Sequence, residues 1–159
     1  MNIRKAAEED IPLLLELIRE LADYEHMLDQ VVADEETLRV WMFEKNRAEA
    51  LICEADDGTA AGFALYFHNF STFLGRAGIY LEDLYVRKQF RGRGFGKALL
   101  TRLAAIAVEE GCGRLEWACL DWNESSIGFY KSLGAVPMDM WTVYRLTGDT
   151  LEKNAEQGR

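Results

Sequence analysis

The chain has 159 residues, 49% hydrophobic and 28% charged, which describes one globular domain and excludes a disordered or fibrous chain. No apolar run approaches the roughly 20 residues of a membrane span, and Met1–Asp10 holds no apolar signal core, so a cytoplasmic location is expected. A net charge of −9, from 18 basic and 27 acidic residues, disfavours nucleic acid and anionic membrane as partners and favours small cations.

In chain order, Met1–Lys5 reads as a short strand. Asp10 can cap a helix with Pro12 in its first turn, and Leu14, Leu17, Ile18 and Leu21 follow helical spacing to about Tyr24. Asp34 can cap a second helix that turns Leu38, Trp41 and Met42 inward. Ala48–Ala55 and Ala60–Phe67 read as strands joined at Asp56-Asp57-Gly58-Thr59, a strong hairpin signal. The segment His68–Gly78 is looser, and Ile79–Val86 is a further strand. Leu99, Leu100, Leu103, Ile106 and Ala107 mark a long helix that Gly111 closes. Arg114–Leu120 is the next strand, and Asn123 can cap a helix carrying Ile127, Tyr130 and Leu133 up to Gly134. Trp141–Leu146 reads as a last strand, followed by a polar tail at 147–159. No linker or repeat interrupts this order, so a single domain over 1–159 is expected, with a mixed α/β sheet covered on both faces.

Cys53, Cys112 and Cys119 have no metal-ligand spacing, and only His26 and His68 could assist them. They read as small buried hydrophobes, with no metal site expected.

Arg87, Lys88, Arg91, Arg93 and Lys97 place five basic residues in eleven positions of an acidic chain. Around them runs Arg91-Gly92-Arg93-Gly94-Phe95-Gly96, between a strand and a helix. Glycines there let backbone approach a ligand, and the unpaired N–H groups of the first helical turn seat phosphate beside the arginines. A kinase-type GxxxxGK loop is absent, and a dinucleotide GxGxxG is only partly matched and falls late in the chain. A glycine-rich turn without a ligand is the bland alternative, and it leaves the five basic residues unexplained.

Arg91-x-x-Gly94-x-Gly96 after an apolar strand resembles the acetyl-CoA signature of the GNAT superfamily. More narrowly the chain is similar to the diamine (polyamine)/thialysine N-acetyltransferases. That likeness is carried by Ile18–Glu25, by Tyr80-Leu81-Glu82-Asp83-Leu84-Tyr85-Val86, by Leu120-Asp121-Trp122-Asn123 and by Phe129–Ala135. The resemblance implies a GNAT acyltransferase fold, a mostly antiparallel sheet in which Ile79–Val86 and Arg114–Leu120 splay apart. It implies that pantetheine lies against Leu84, Tyr85 and Val86, that pyrophosphate takes Gly92–Lys97, including Arg93, Phe95 and Gly96, and that Asn123 and Ser126 meet the coenzyme. It also implies a homodimer.

Acetyl transfer needs a neutral amine, a stabilised oxyanion and a proton for the departing thiolate. Neither histidine has a motif partner for nucleophilic catalysis, so direct attack by the amine is the simpler reading. Tyr130 taken alone reads as a core aromatic beside Ile127; the resemblance makes it the general acid. Glu82 and Asp83 interrupt an apolar strand and face opposite sides of it. A salt bridge to a nearby arginine is one reading of Glu82; the family reading makes it a ligand for the cationic substrate that also passes on the amine's proton, with Asp83 at the rim. Tyr24 and Glu25 match a substrate-contacting position, with a solvated helix end as the alternative. Glu116 could line the acceptor pocket, whereas Trp117 reads as core. Phe73 stands where the family loop usually has tryptophan, and Val136–Val143 is shorter than in polyamine-acetylating members, leaving Trp141 and Asp139 as its remnants. Acetyl transfer to a small cationic amine is therefore expected, with peptide acetylation or a non-catalytic acyl-CoA-binding regulator as alternatives.

Overall fold

The computed structural model describes residues 1–159, which divide into two compact units, Met1–Ala118 and Cys119–Arg159. The first is built on a five-stranded sheet ordered β1 (Asn2–Lys5), β2 (Glu49–Glu54), β3 (Ala60–Ser71), β4 (Arg76–Val86) and β5 (Leu115–Trp117). Strands β1 to β4 pair antiparallel, and β5 joins β4 in parallel. This is the mixed α/β sheet expected from the sequence.

Continuous burial of Ala50–Cys53 in β2 marks a sheet covered on both faces. On one face, Leu14, Leu17 and Leu21 of α1 (Ile11–Tyr24) meet Ile52, Phe63 and Tyr85 in a single cluster. Met42 joins that cluster from a π turn, Val40–Glu44, that continues α2 (Glu35–Arg39). Helix α3 (Phe95–Glu109) buries Leu99, Leu100, Leu103 and Ala107 and packs on β2, β3 and β4.

The expected cap on α2 is present, Asp34 accepting from the Thr37 N–H at 2.8 Å. Asp10 differs from expectation. Its carboxylate accepts from the Ala7 N–H and takes both Nη atoms of Arg4 at 2.7 and 2.8 Å, so it closes the preceding 3-10 turn rather than capping α1. The bidentate arginine is the stronger partner. Gly58, at φ +84°, closes the hairpin as predicted. The segment 68–78 is more regular than its polar sequence suggests. Asn69–Gly78 and Phe70–Ala77 continue the β3–β4 ladder to a tight turn at Gly75 (φ +66°). Strands already aligned impose pairing on residues of poor intrinsic β preference.

Two irregularities in β4 shape the rest. Leu65 lies opposite Asp83 while its neighbour Tyr66 lies opposite Leu81, so Glu82 is the extra residue of a β-bulge. Pairing with β5 ends at the same place, Leu81–Trp117 being its last pair. From Glu82 to Val86, β4 therefore keeps β3 on one side and no strand on the other. The predicted Arg114–Leu120 strand is correspondingly short.

In the second unit, Asn123 caps α4 (Glu124–Ser132), its Oδ1 accepting from the Ser126 N–H at 3.3 Å, and Gly134 ends the turn at φ +86°. The predicted strand Trp141–Leu146 does not form, because its apolar pattern has no ladder partner in the sheet. The polar tail contains a helix instead, α5 (Gly148–Gln157), with Asp149 in its first turn and good helix formers behind it.

Gly62 sits opposite Val86, and a Cβ there would run into the Tyr85 carbonyl oxygen and approach the Val86 Cα at 3.0 Å. Gly62→Ala should cost roughly 1–3 kcal/mol by overpacking against backbone. Urea denaturation reads this directly, with a midpoint unchanged from wild type as the contrary result.

Candidate active site

The unpaired edge of β4 has a defined polarity. The Arg87 N–H donates to the Ala61 carbonyl at 2.8 Å, so alternation along an antiparallel pair turns the backbone groups of Tyr85 and Asp83 toward β3. Those of Leu84 and Val86 turn the other way, to the side that β5 has left. Of the three residues expected to meet pantetheine, Leu84 and Val86 offer backbone groups there, and Tyr85 offers a ring packed in the core.

Beyond β4 comes the glycine turn. Gly92 and Gly94 hold φ of +72° and +86°, and an added Cβ at either would touch nothing, so the demand for glycine is conformational. Gly94 is the residue before α3 and brings no side-chain cap. The first intrahelical bond is Ala98 N–H to Gly94 O at 2.9 Å, which leaves the N–H groups of Phe95, Gly96 and Lys97 at the positive end of the helix. Arg93 and Lys97 are exposed beside them. This cradle of backbone donors and cations fits a pyrophosphate.

The five basic residues do not act alike. Arg87 is spent on α1, its guanidinium meeting Glu20 at 2.8 Å and also Glu16. Arg91 donates from Nε to the Val86 carbonyl at 2.8 Å and lies 4.6 Å from the Tyr24 ring centroid and 5.6 Å from that of Tyr85. It thereby joins the glycine turn, the β4 edge and the end of α1.

Three carboxylates gather at that end. Glu82 is exposed on the bulge and makes no ion pair, so the salt bridge considered for it does not form. Asp83 shares its cross-strand position with Leu65, on the face that α1 covers. Burial pushes its carboxyl up to about 7, helped by the charges of Glu82 and then Glu25. Desolvation likewise raises Glu25. Glu116 stands opposite Tyr80 on β5, but its Oε1 already takes Arg114 Nε at 2.9 Å and Asn69 Nδ2 at 3.4 Å. Trp117 beside it is half-buried.

On α4, Asn123, Ser126 and Tyr130 fall at i, i+3 and i+7, on one face, and all three are half-buried. The Tyr130 ring lies 5.3 Å from that of Phe129. Of the cysteines, Cys53 is buried with its thiol pushed up to about 11, an inert core position, and Cys112 and Cys119 are half-buried. Sequence reasoning missed Gly62, although a glycine inside a strand is a signal of close backbone approach.

A family model described as the acetyltransferase (GNAT) family matches residues 14–135. Thialysine N-epsilon-acetyltransferase of Bos taurus is 38% identical over 96% of both chains. L-ornithine N5-acetyltransferase of Arabidopsis thaliana is 43% identical over 69% of this chain and 48% of its own. Among solved structures, an integron cassette protein of V. cholerae aligns at TM-score 0.81 with 29% identity, covering 98% of this chain and 97% of the other. The chain belongs to the GNAT acetyltransferase family, as an acetyl-CoA-dependent N-acetyltransferase akin to the thialysine and polyamine-type enzymes. No helix is long and apolar enough to cross a membrane.

Because the folded chain favours protonated Asp83, this group's contribution to stability is complete below the unfolded carboxyl value of 3.8 and is lost as pH rises through about 7. Asp83→Asn should therefore stabilise the protein at pH 8 by roughly 1–4 kcal/mol and leave it near wild type at pH 4. Denaturant midpoints at the two pH values measure this; equal effects at both would deny the buried carboxylate.

Proposed function

We propose that this enzyme acetylates a primary amine of a small cationic molecule, a diamine, polyamine, thialysine or lysine-like compound. The observation that carries the reading is the cluster of Glu25, Glu82 and Asp83 beside the unpaired edge of β4, with no cation of the protein among the charges acting on Asp83. Uncompensated carboxylates in a partly desolvated wall favour a ligand that brings its own positive charge. The named relatives act on thialysine and L-ornithine, both small amines of that class.

In this reading Leu84 and Val86 hold the coenzyme's pantetheine by backbone hydrogen bonds and Tyr85 buttresses that strand. Arg91, Gly92, Arg93, Gly94, Phe95, Gly96 and Lys97 seat its pyrophosphate, and Asn123 and Ser126 meet it from the start of α4. Acetyl-CoA supplies the acetyl group and departs as the thiol. Tyr24, Glu25 and Asp83 bind the cationic acceptor, with Glu116 contributing charge at the far side of Tyr80. Glu82, exposed and unpaired, takes the proton of the attacking amine through water. Tyr130 returns a proton to the departing thiolate, since a phenol is protonated at neutral pH. Residues 1–159 work as one domain, as a homodimer in the cytoplasm, and neither metal nor nucleic acid takes part.

Initial rates of free-thiol release across an amine panel test this. Diamines and lysine analogues should lead neutral arylamines and peptide N-termini; the reverse order overturns the acceptor assignment. Tyr130→Phe should lower kcat by about 10²–10⁴-fold with little change in KM. An unchanged kcat would remove Tyr130 from the reaction.

A further inference from the structure

A second cluster of ligating groups lies away from the acetyl-transfer site, where the end of α3 meets β3. The donor atoms of His68, Glu110 and Cys112 lie within 4.8 Å of one another, and His68 Nε2 meets Glu110 Oε2 at 2.5 Å. We propose that His68, Glu110 and Cys112 bind a divalent metal ion of the zinc class, leaving one coordination position to water.

Three observations support this site independently. The donor set is imidazole, thiol and carboxylate, a combination that suits zinc. The donors stand on rigid backbone. His68 sits in the β3–β4 ladder opposite Ile79. The other two flank Gly111, whose φ of +71° closes α3, with the Cys112 N–H bonded to the Ala107 carbonyl at 2.8 Å. The charge at this corner also runs against the helix. Helix α3 ends in Glu109 and Glu110 with no basic residue in its last turn, where the macrodipole is already negative. Glu109 is drawn back to Arg102 at 3.0 Å, which leaves Glu110 with the histidine alone. A bound cation would relieve the repulsion that the fold tolerates there.

Burial and the Glu110 charge push the Cys112 thiol up from its ordinary value, so without metal the sulfur carries its proton. Binding releases that proton to solvent and forms the metal–sulfur bond, with the imidazole ligating through a ring nitrogen that carries no proton. The metal would pin the end of α3 to β3 and is separate from the reaction.

Cobalt(II) titration of the full, tag-free and chelator-treated chain tests this, because cobalt ligated by thiolate gives a sulfur-to-metal charge-transfer absorption. One equivalent should develop that absorption, zinc should displace it, and zinc should raise Tm. Cys112→Ser should abolish the absorption, His68→Gln should weaken cobalt binding by at least about tenfold, and Cys119→Ser should leave the signal intact. No charge-transfer band in the wild type, or a band that survives Cys112→Ser, overturns the site. Acetylation rates enter neither readout, so the outcome is independent of the proposed acceptor chemistry.

Discussion

Strand β4 can pair on both edges only as far as Leu81. There Glu82 inserts as a bulge and β5 departs, and the five residues from Glu82 to Val86 must satisfy half their backbone groups by other means. Buried N–H and C=O groups without partners are costly, so an edge of this kind is either wet or occupied by a ligand. One carbonyl, that of Val86, is answered within the protein by Arg91. The same bulge makes the junction between an apolar strand half, Ile79 to Leu81, and a half that carries two carboxylates. Core packing, open strand edge and acidic wall thus meet at one register shift.

Gly62 is what lets that edge keep its other neighbour. Without a side chain at this position β3 lies close against Tyr85 and Val86, so β4 is held firmly on one side while the other stays open. The glycines of the turn work differently. Gly92 and Gly94 meet no crowding at all, and only their left-handed backbone is needed, to swing the chain from β4 into α3 with its first N–H groups facing outward. Two kinds of glycine requirement, one steric and one torsional, therefore shape the two ends of the same edge.

What could be read from the sequence was what is local. The turn from Arg91 to Gly96 declares itself because its glycines and cations fall within a few residues, and α1 because its apolar spacing closes within one helix. The bulge at Glu82 is a property of two strands in register and leaves no mark in either alone. The alternation of apolar residues at 141–146 looks like a strand, yet pattern supplies no hydrogen bonds and the sheet offers no partner. Conversely, helix formation over 148–157 follows from propensity in a segment that looked merely polar. His68 and Cys112 showed no metal-ligand spacing because their proximity is made by the end of α3 returning to β3.

The distribution of charge within the first unit follows from geometry more than from composition. Arg87, Arg91 and Arg93 follow Glu82 and Asp83 closely in the sequence, and mutual neutralisation would be the cheap outcome. It is prevented by prior engagements. Arg87 is taken by Glu16 and Glu20, and Arg91 is stacked on Tyr24 with its Nε on the Val86 carbonyl. Arg93 lies over Phe90 and Phe95, 5.5 and 5.7 Å from their ring centroids. The charges that act on Asp83 are consequently all negative, and burial together with Glu82 and then Glu25 holds its carboxyl up at about 7. A site kept in that condition costs stability, and a cation from outside is what removes the cost. On the proposed reading that cation is the acceptor amine, and its binding lowers the proton affinity of Asp83 as it neutralises the wall. Recognition of charge and preparation of the carboxylates would then be a single event.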